Sequence, residues 1–117
     1  MQNMYDVVCK PSIERLRQAK AYDICCYAIK DSIIAEYVII AECTSTRHAI
    51  STANDILEYL KILGISSAMV EGIRSGEWIL LDIGTVIMHI FTKESREYYS
   101  LEEFMTNSGA IIMQGEV

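Results

Sequence analysis

Trp78-Ile79-Leu80-Leu81-Asp82-Ile83-Gly84-Thr85-Val86-Ile87-Met88-His89-Ile90-Phe91 sets the architecture of this chain. Side chains alternate along a strand, so Ile79, Leu81 and Ile83 share one face while Trp78, Leu80 and Asp82 share the other. The first set is wholly apolar and is assigned to the core. The second mixes a large aromatic, an aliphatic and a carboxylate, which is the composition of a partner-binding patch. A sheet covered on both sides, with Trp78 simply buried, is the competing reading, and the pattern leaves both open. Gly84-Thr85 marks a tight hairpin between the strands Trp78–Ile83 and Thr85–Phe91. In the second strand His89 alternates with Ile87 and Phe91 and reads as a half-buried, hydrogen-bonded histidine.

Outward from this hairpin, Ser67–Val70 is a third strand candidate, separated from Trp78 by Gly72 and Ser75-Gly76. Before it, Ala49, Ile50, Ala53, Ile56, Leu57, Leu60 and Leu63 form an apolar stripe at helical spacing. Thr44-Ser45-Thr46 offers the N-cap and Gly64 the C-terminal cap. Asp23–Ile29 and Tyr37–Cys43 read as two neighbouring strands joined by the polar turn Lys30-Asp31-Ser32. Residues 1–20 are helix-leaning through Tyr5, Val8, Cys9, Ile13, Leu16 and Ala19, and Pro11 either starts that helix or kinks it. Lys93–Met105 returns to helical spacing, while residues 107–117 carry Ile111, Ile112 and Met113 without a clear period. The order α-β-β-α-β-β-β-α predicts an α+β fold with a mixed β-sheet. One domain spans 1–106, with 107–117 as a C-terminal tail.

The 117 residues, 51% hydrophobic with one proline, are enough for a single core. No apolar run approaches the roughly 20 residues that cross a bilayer, and the N-terminus has neither a signal-peptide nor a transit-peptide pattern. Cys9, Cys25, Cys26 and Cys43 show no metal-ligand spacing and read as buried free thiols of a reducing compartment, which places the protein in the cytoplasm. A net charge of −6 without a basic cluster argues against direct nucleic-acid readout and suits a basic protein partner.

Catalytic constellations are weak. His48, His89, Cys43 and Glu71 lack HxxxH, HxH or CxxC spacing, so no metal is expected. A triad from Ser45 or Cys43 with His48 and Asp82 lacks a nucleophile elbow. Neither GxGxxG nor a P-loop occurs, and no cofactor is expected. Glu94, Glu97, Glu102 and Glu103 fit the wet face of a C-terminal helix.

Several blocks together resemble the ribosomal silencing factor (Iojap-related) family. Glu36-Tyr37-Val38-Ile39-Ile40 followed by Thr44-Ser45-Thr46-Arg47-His48 is similar to the family's D-Y-F-V-I … S-x-R-H stretch. Glu71-Gly72, Trp78–Gly84, Val86–Phe91, Arg96-Glu97-Tyr98-Tyr99 and Leu101-Glu102-Glu103 follow in the family's order, from about residue 12 to residue 105. Glu36 stands where the family usually has Asp, Gly84-Thr85 where it has Gly-Asp, and Phe104-Met105 where it has a terminal tryptophan. The resemblance implies a nucleotidyltransferase-like fold, with a mixed sheet of about five strands flanked by helices. It also implies binding to large-subunit ribosomal protein L-fourteen, which sterically blocks subunit association. A role in large-subunit assembly is the related alternative, since organellar relatives act there. On this reading Trp78, Leu80, Asp82, Gly84, His89, Glu71, Arg96 and Tyr99 are the candidate partner-binding residues, with Trp78 as anchor. Nucleotidyl transfer is the enzyme alternative. It needs paired Asp residues that do not follow Cys43-Thr44-Ser45, so the protein is expected not to be an enzyme. A homodimer joined through a strand edge or the Trp78 patch is a third reading.

Overall fold

A computed structural model describes residues 3–29 and 35–114. The predicted turn Lys30-Asp31-Ser32 lies outside them. In chain order come α1 (Lys10–Gln18), β1 (Tyr22–Ala28), β2 (Tyr37–Cys43), α2 (Thr46–Ile62), β3 (Met69–Glu71), β4 (Trp78–Asp82), β5 (Val86–Thr92), α3 (Lys93–Tyr99), α4 (Leu101–Asn107) and β6 (Ile111–Gln114). The strands form one six-stranded sheet in the order β3-β4-β5-β2-β1-β6. Only β2 and β5 pair in parallel, so the sheet is mixed, as predicted.

Pro11 sits in the first turn of α1, where a helix start is expected, although the chain is already helical before it. A π-helical turn, Tyr5–Cys9, runs into α1, and the Lys10 N–H bonds the carbonyl five residues back on Tyr5. Pro11 has no N–H to place, so the widened turn costs no bond at that position. Of the α2 stripe Ala49, Ala53, Ile56 and Leu60 are buried and Ile50, Leu57 and Leu63 half-buried, and Thr52 is buried beside them. The Ser45 hydroxyl accepts from the His48 N–H at 3.0 Å as the N-cap bond. At the far end the Gly64 N–H bonds Lys61 O and the Ile65 N–H bonds Leu60 O, the paired closure of a Schellman motif.

Helices α1 and α2 seal one sheet face over Ile39, Ala41, Ile79, Leu81, Met88 and Ile90. Arg15 ties these two helices with a forked bond to Asp55, at 2.9 and 3.0 Å. His48 ties them again: its Nδ1 accepts from the Thr44 N–H at 3.1 Å and Nε2 lies 2.7 Å from Ala19 O. On the opposite face α4 covers only part of the sheet, with Met105 seated on Tyr27, Val38, Ile40 and Phe91.

Two expectations change. The single helix over Lys93–Met105 is two helices, because Ser100 adopts φ 49° and turns the chain between them. The sheet gains a sixth strand, because the segment read as a tail pairs Ile111 and Ile112 with Ala28 and Tyr27 of β1.

Gly72 fixes how β3 hands the chain to β4. Its φ is +80°, and a Cβ there would meet the Trp78 carbonyl oxygen at 2.0 Å. Gly72→Ala is therefore expected to cost at least about 2 kcal/mol, from left-handed backbone strain plus the backbone clash. Thermal unfolding checks this, and a melting temperature equal to that of the parent chain would contradict it.

Candidate functional site

The second sheet face is open along β3, β4 and the neighbouring half of β5. Residues Trp78, Leu80 and Asp82 point into it, as the alternation predicts, each half-buried while Ile79 and Leu81 are sealed beneath. Pairing sets Glu71 opposite Leu80 and Met69 opposite Asp82. On the other side it sets Phe91, His89 and Ile87 opposite Trp78, Leu80 and Asp82. From Trp78 to the hairpin tip at Gly84 the face runs about 20 Å at the usual rise per residue.

Trp78 is neither sealed nor loose. Its ring stacks on Phe91 at 5.0 Å between centroids, and Tyr99 of α3 leans on it at 4.6 Å. Tyr98 meets Tyr99 edge-on at 5.0 Å. The indole N–H donates to His89 Nδ1 at 2.9 Å. That bond fixes the imidazole as neutral, with its own hydrogen on Nε2.

His89 is 8% exposed, and burial pushes its pKa down to about 4. His89, one of the candidate partner-binding residues, stands here as an uncharged, buried brace for Trp78, as the reading of a hydrogen-bonded histidine implies. Because the unfolded chain takes up this proton near pH 6.5, stability is lost as pH falls from about 6.5 to about 4, by up to about 3 kcal/mol. Trp78 is the only tryptophan, so its fluorescence should report the break of the indole–imidazole bond at the acid end. His89→Gln should flatten the slope across that window, and an unchanged slope would remove His89 as its cause.

The remaining candidates separate clearly. Glu71 is exposed at the rim, and Tyr99 is 51% exposed beside Trp78. Asp82 lies on the face, but one of its carboxylate oxygens accepts the Gly84 N–H at 2.8 Å and so also shapes the hairpin. Gly84 is exposed at the tip, with φ +93° at the first position of the two-residue loop. Arg96 does not join them. Only 10% of its side chain is exposed, and it points inward, 2.7 and 2.9 Å from the Glu102 carboxylate and 3.4 Å from Glu42. It anchors α3 to β2 and α4, with its guanidinium occupied by carboxylates and turned away from the Trp78 patch.

Sequence reading missed three residues of the face. Met69 is 67% exposed, Tyr98 is 81% exposed, and Ile87 is half-buried. Parity along β5 placed Ile87 with His89, but only the pairing register shows that it borders Asp82.

A cleft of about 560 Å³ opens beside Tyr98 and Tyr99, between the first turns of α2 and α3, and is lined also by Thr44, Ser45, Glu77 and Glu94. This is where the transferase reading placed its turn. Among the described residues no three His, Cys, Asp or Glu side chains group closely enough to hold a metal ion. Cys9, Cys26 and Cys43 are buried free thiols and Cys25 is half-buried. No helix among the described residues is long and apolar enough to cross a membrane.

A mixed sheet with helices sealing one face, and an aromatic patch with acidic neighbours half-open on the other, defines an α+β protein of two unequal sheet faces. The chain belongs to the ribosomal silencing factor family: the family described as "Ribosomal silencing factor during starvation" matches residues 5–116. A "Ribosomal silencing factor RsfS" from Chromobacterium violaceum is 33% identical over 96 residues, which covers 81% of this chain and 79% of that protein. The mouse "Mitochondrial assembly of ribosomal large subunit protein 1" is 31% identical over 98 residues, 80% of this chain but 43% of the mouse protein. A crystal structure of a Chromobacterium violaceum protein superposes with a TM-score of 0.82 at 30% identity, covering 88% of this chain and 86% of that one.

Proposed function

We propose that this chain silences translation by docking on the large ribosomal subunit through the open Trp78 face. Its contact there is ribosomal protein L-fourteen, and its bulk excludes the small subunit. The observation that carries the reading is the half-open indole, braced by His89 and flanked by Leu80, Met69, Tyr99 and Glu71 on a face that α3 and α4 cover only in part. A braced aromatic anchor with an acidic rim suits a basic protein surface, since the ring loses little freedom on binding and the charges steer approach. Membership in a family named for ribosomal silencing supports the choice of target. A standard interface removes about 800 Å² per partner, enough to obstruct a subunit-joining surface. The action is steric and cytoplasmic, and requires no reaction.

Sedimentation with isolated large subunits tests this. The chain should travel with large subunits, and adding small subunits should yield fewer joined ribosomes in its presence. Equal association with joined ribosomes, or none with large subunits, would sink the proposal. A large-subunit assembly role is the second reading, favoured by the name of the mouse relative. It predicts association with immature subunits in preference to mature ones. If the Trp78 face instead joined two copies, light scattering would give twice the monomer mass.

A further inference from the structure

In the Thr44-Ser45-Thr46-Arg47-His48 block the side chains of Thr46 and Arg47 form no hydrogen bond among the described residues. Ser45 caps α2 and His48 bridges to Ala19. Arg47 is exposed and forms no hydrogen bond or ion pair among the described residues, and the same holds for Arg74. Both line one recess of about 590 Å³, together with Thr46, Ser51, Asn54 and Ser75. The loop bearing Arg74 is clamped there. Gly76 donates to Gly72 O at 3.0 Å, and it packs so closely on α2 that a Cβ would meet Thr46 O at 2.7 Å.

In a chain of net charge −6 this concentration of unneutralised cations stands out. Among the described residues Lys10, Arg15, Arg17, Lys61 and Arg96 have carboxylate partners, and of the cations without one (Lys20, Arg47, Arg74 and Lys93) Arg47 and Arg74 share a recess. The recess also adjoins the first turn of α2, which carries no acidic residue. A helix N-terminus is already electropositive, so an arginine there is opposed rather than favoured by the helix dipole. No carboxylate among the described residues offsets that arrangement. An external anion would, because two guanidinium forks, three hydroxyls and an amide line the recess.

We infer that the Arg47–Arg74 recess is a phosphate-contact site for the RNA backbone of the docking target. Three residues separate Arg74 from Trp78, so the recess lies on the loop that leads into the strand presenting the indole. The contact reads charge and no base identity, and the overall negative charge keeps the chain off RNA lacking the protein contact. The inference extends the docking proposal, and the test keeps the two apart.

Binding of the full chain to isolated large subunits is measured across a salt series, for the parent, for R47Q/R74Q and for Trp78→Ala. R47Q/R74Q should bind about tenfold more weakly at low salt, with the slope of log affinity against log salt reduced by about 1–2. Trp78→Ala should weaken binding with the slope unchanged. An unchanged slope in R47Q/R74Q overturns the phosphate site while leaving docking intact. If the parent does not bind subunits, docking fails, and titration of the labelled chain with a short RNA duplex decides the recess alone. Saturable shifts at the Arg47 and Arg74 side-chain N–H signals, lost in R47Q/R74Q, would support it, and their absence would overturn it. A phosphoserine peptide that saturates the recess at lower concentration than RNA would overturn the assignment to RNA.

Discussion

Trp78→Ala is expected to weaken binding to large subunits by about 30-fold or more, the equivalent of an anchor contributing about 2 kcal/mol. The structure also sets a side effect on stability. The ring stacks on Phe91 and Tyr99 and satisfies His89 Nδ1, so its removal should cost roughly 1–3 kcal/mol of folding free energy as well. The variant should remain folded by circular dichroism at room temperature, with a lowered melting temperature. Trp78→Phe separates the two roles, since it keeps an aromatic ring against Phe91 but leaves the imidazole acceptor buried without its donor. It should lose stability while retaining more binding than Trp78→Ala. If Trp78→Ala binds subunits as tightly as the parent, the anchor lies elsewhere on the face.

Much of that face was legible because a strand repeats every two residues. The burial alternation of Trp78–Asp82 follows from sequence parity, and the α2 stripe and its caps follow from spacing and residue type. What failed depended on contacts between distant segments. Trp78 and His89 meet only because the register pairs Trp78 with Phe91 and Leu80 with His89, which leaves His89 as the diagonal neighbour of the indole. Arg96 and Glu42 lie 54 residues apart, and no local pattern announces their bond. Strand β6 escaped because Ile111, Ile112 and Met113 are all exposed at a sheet edge, so there was no alternation to read. The break at Ser100 escaped because Tyr98, Leu101 and Met105 keep helical spacing, although Tyr98 faces solvent and Met105 faces the sheet.

The same hidden bond yields the largest expected loss of stability. Arg96→Met removes the cation from a site where the Glu42 side chain is 8% exposed and its Arg96 partner 10%. A carboxylate stranded there should cost about 3–5 kcal/mol, read as a lower urea midpoint. Glu42 also accepts a bond from the Tyr22 hydroxyl, which pushes the phenol up to about 12, so the strain spreads to β1. Replacing both charges, E42L/R96M, should recover most of the loss, because the cost lies in the unpaired charge and not in the absence of the pair. The bond from Arg96 also holds the Glu102 carboxyl below its usual range. A depressed carboxyl stabilises the fold above its unfolded pKa, and that contribution disappears as pH falls through the lower, folded value. Arg96→Met should therefore show a shallower acid decline than the parent from about pH 4 downward. Since Arg96 and Tyr99 share α3, releasing the arginine should also loosen Tyr99 from Trp78, visible as a shift in tryptophan emission before global unfolding. A urea midpoint within error of the parent's would show that Glu42 finds another partner, and the account of α3 as a clamped support for the docking face would fall with it.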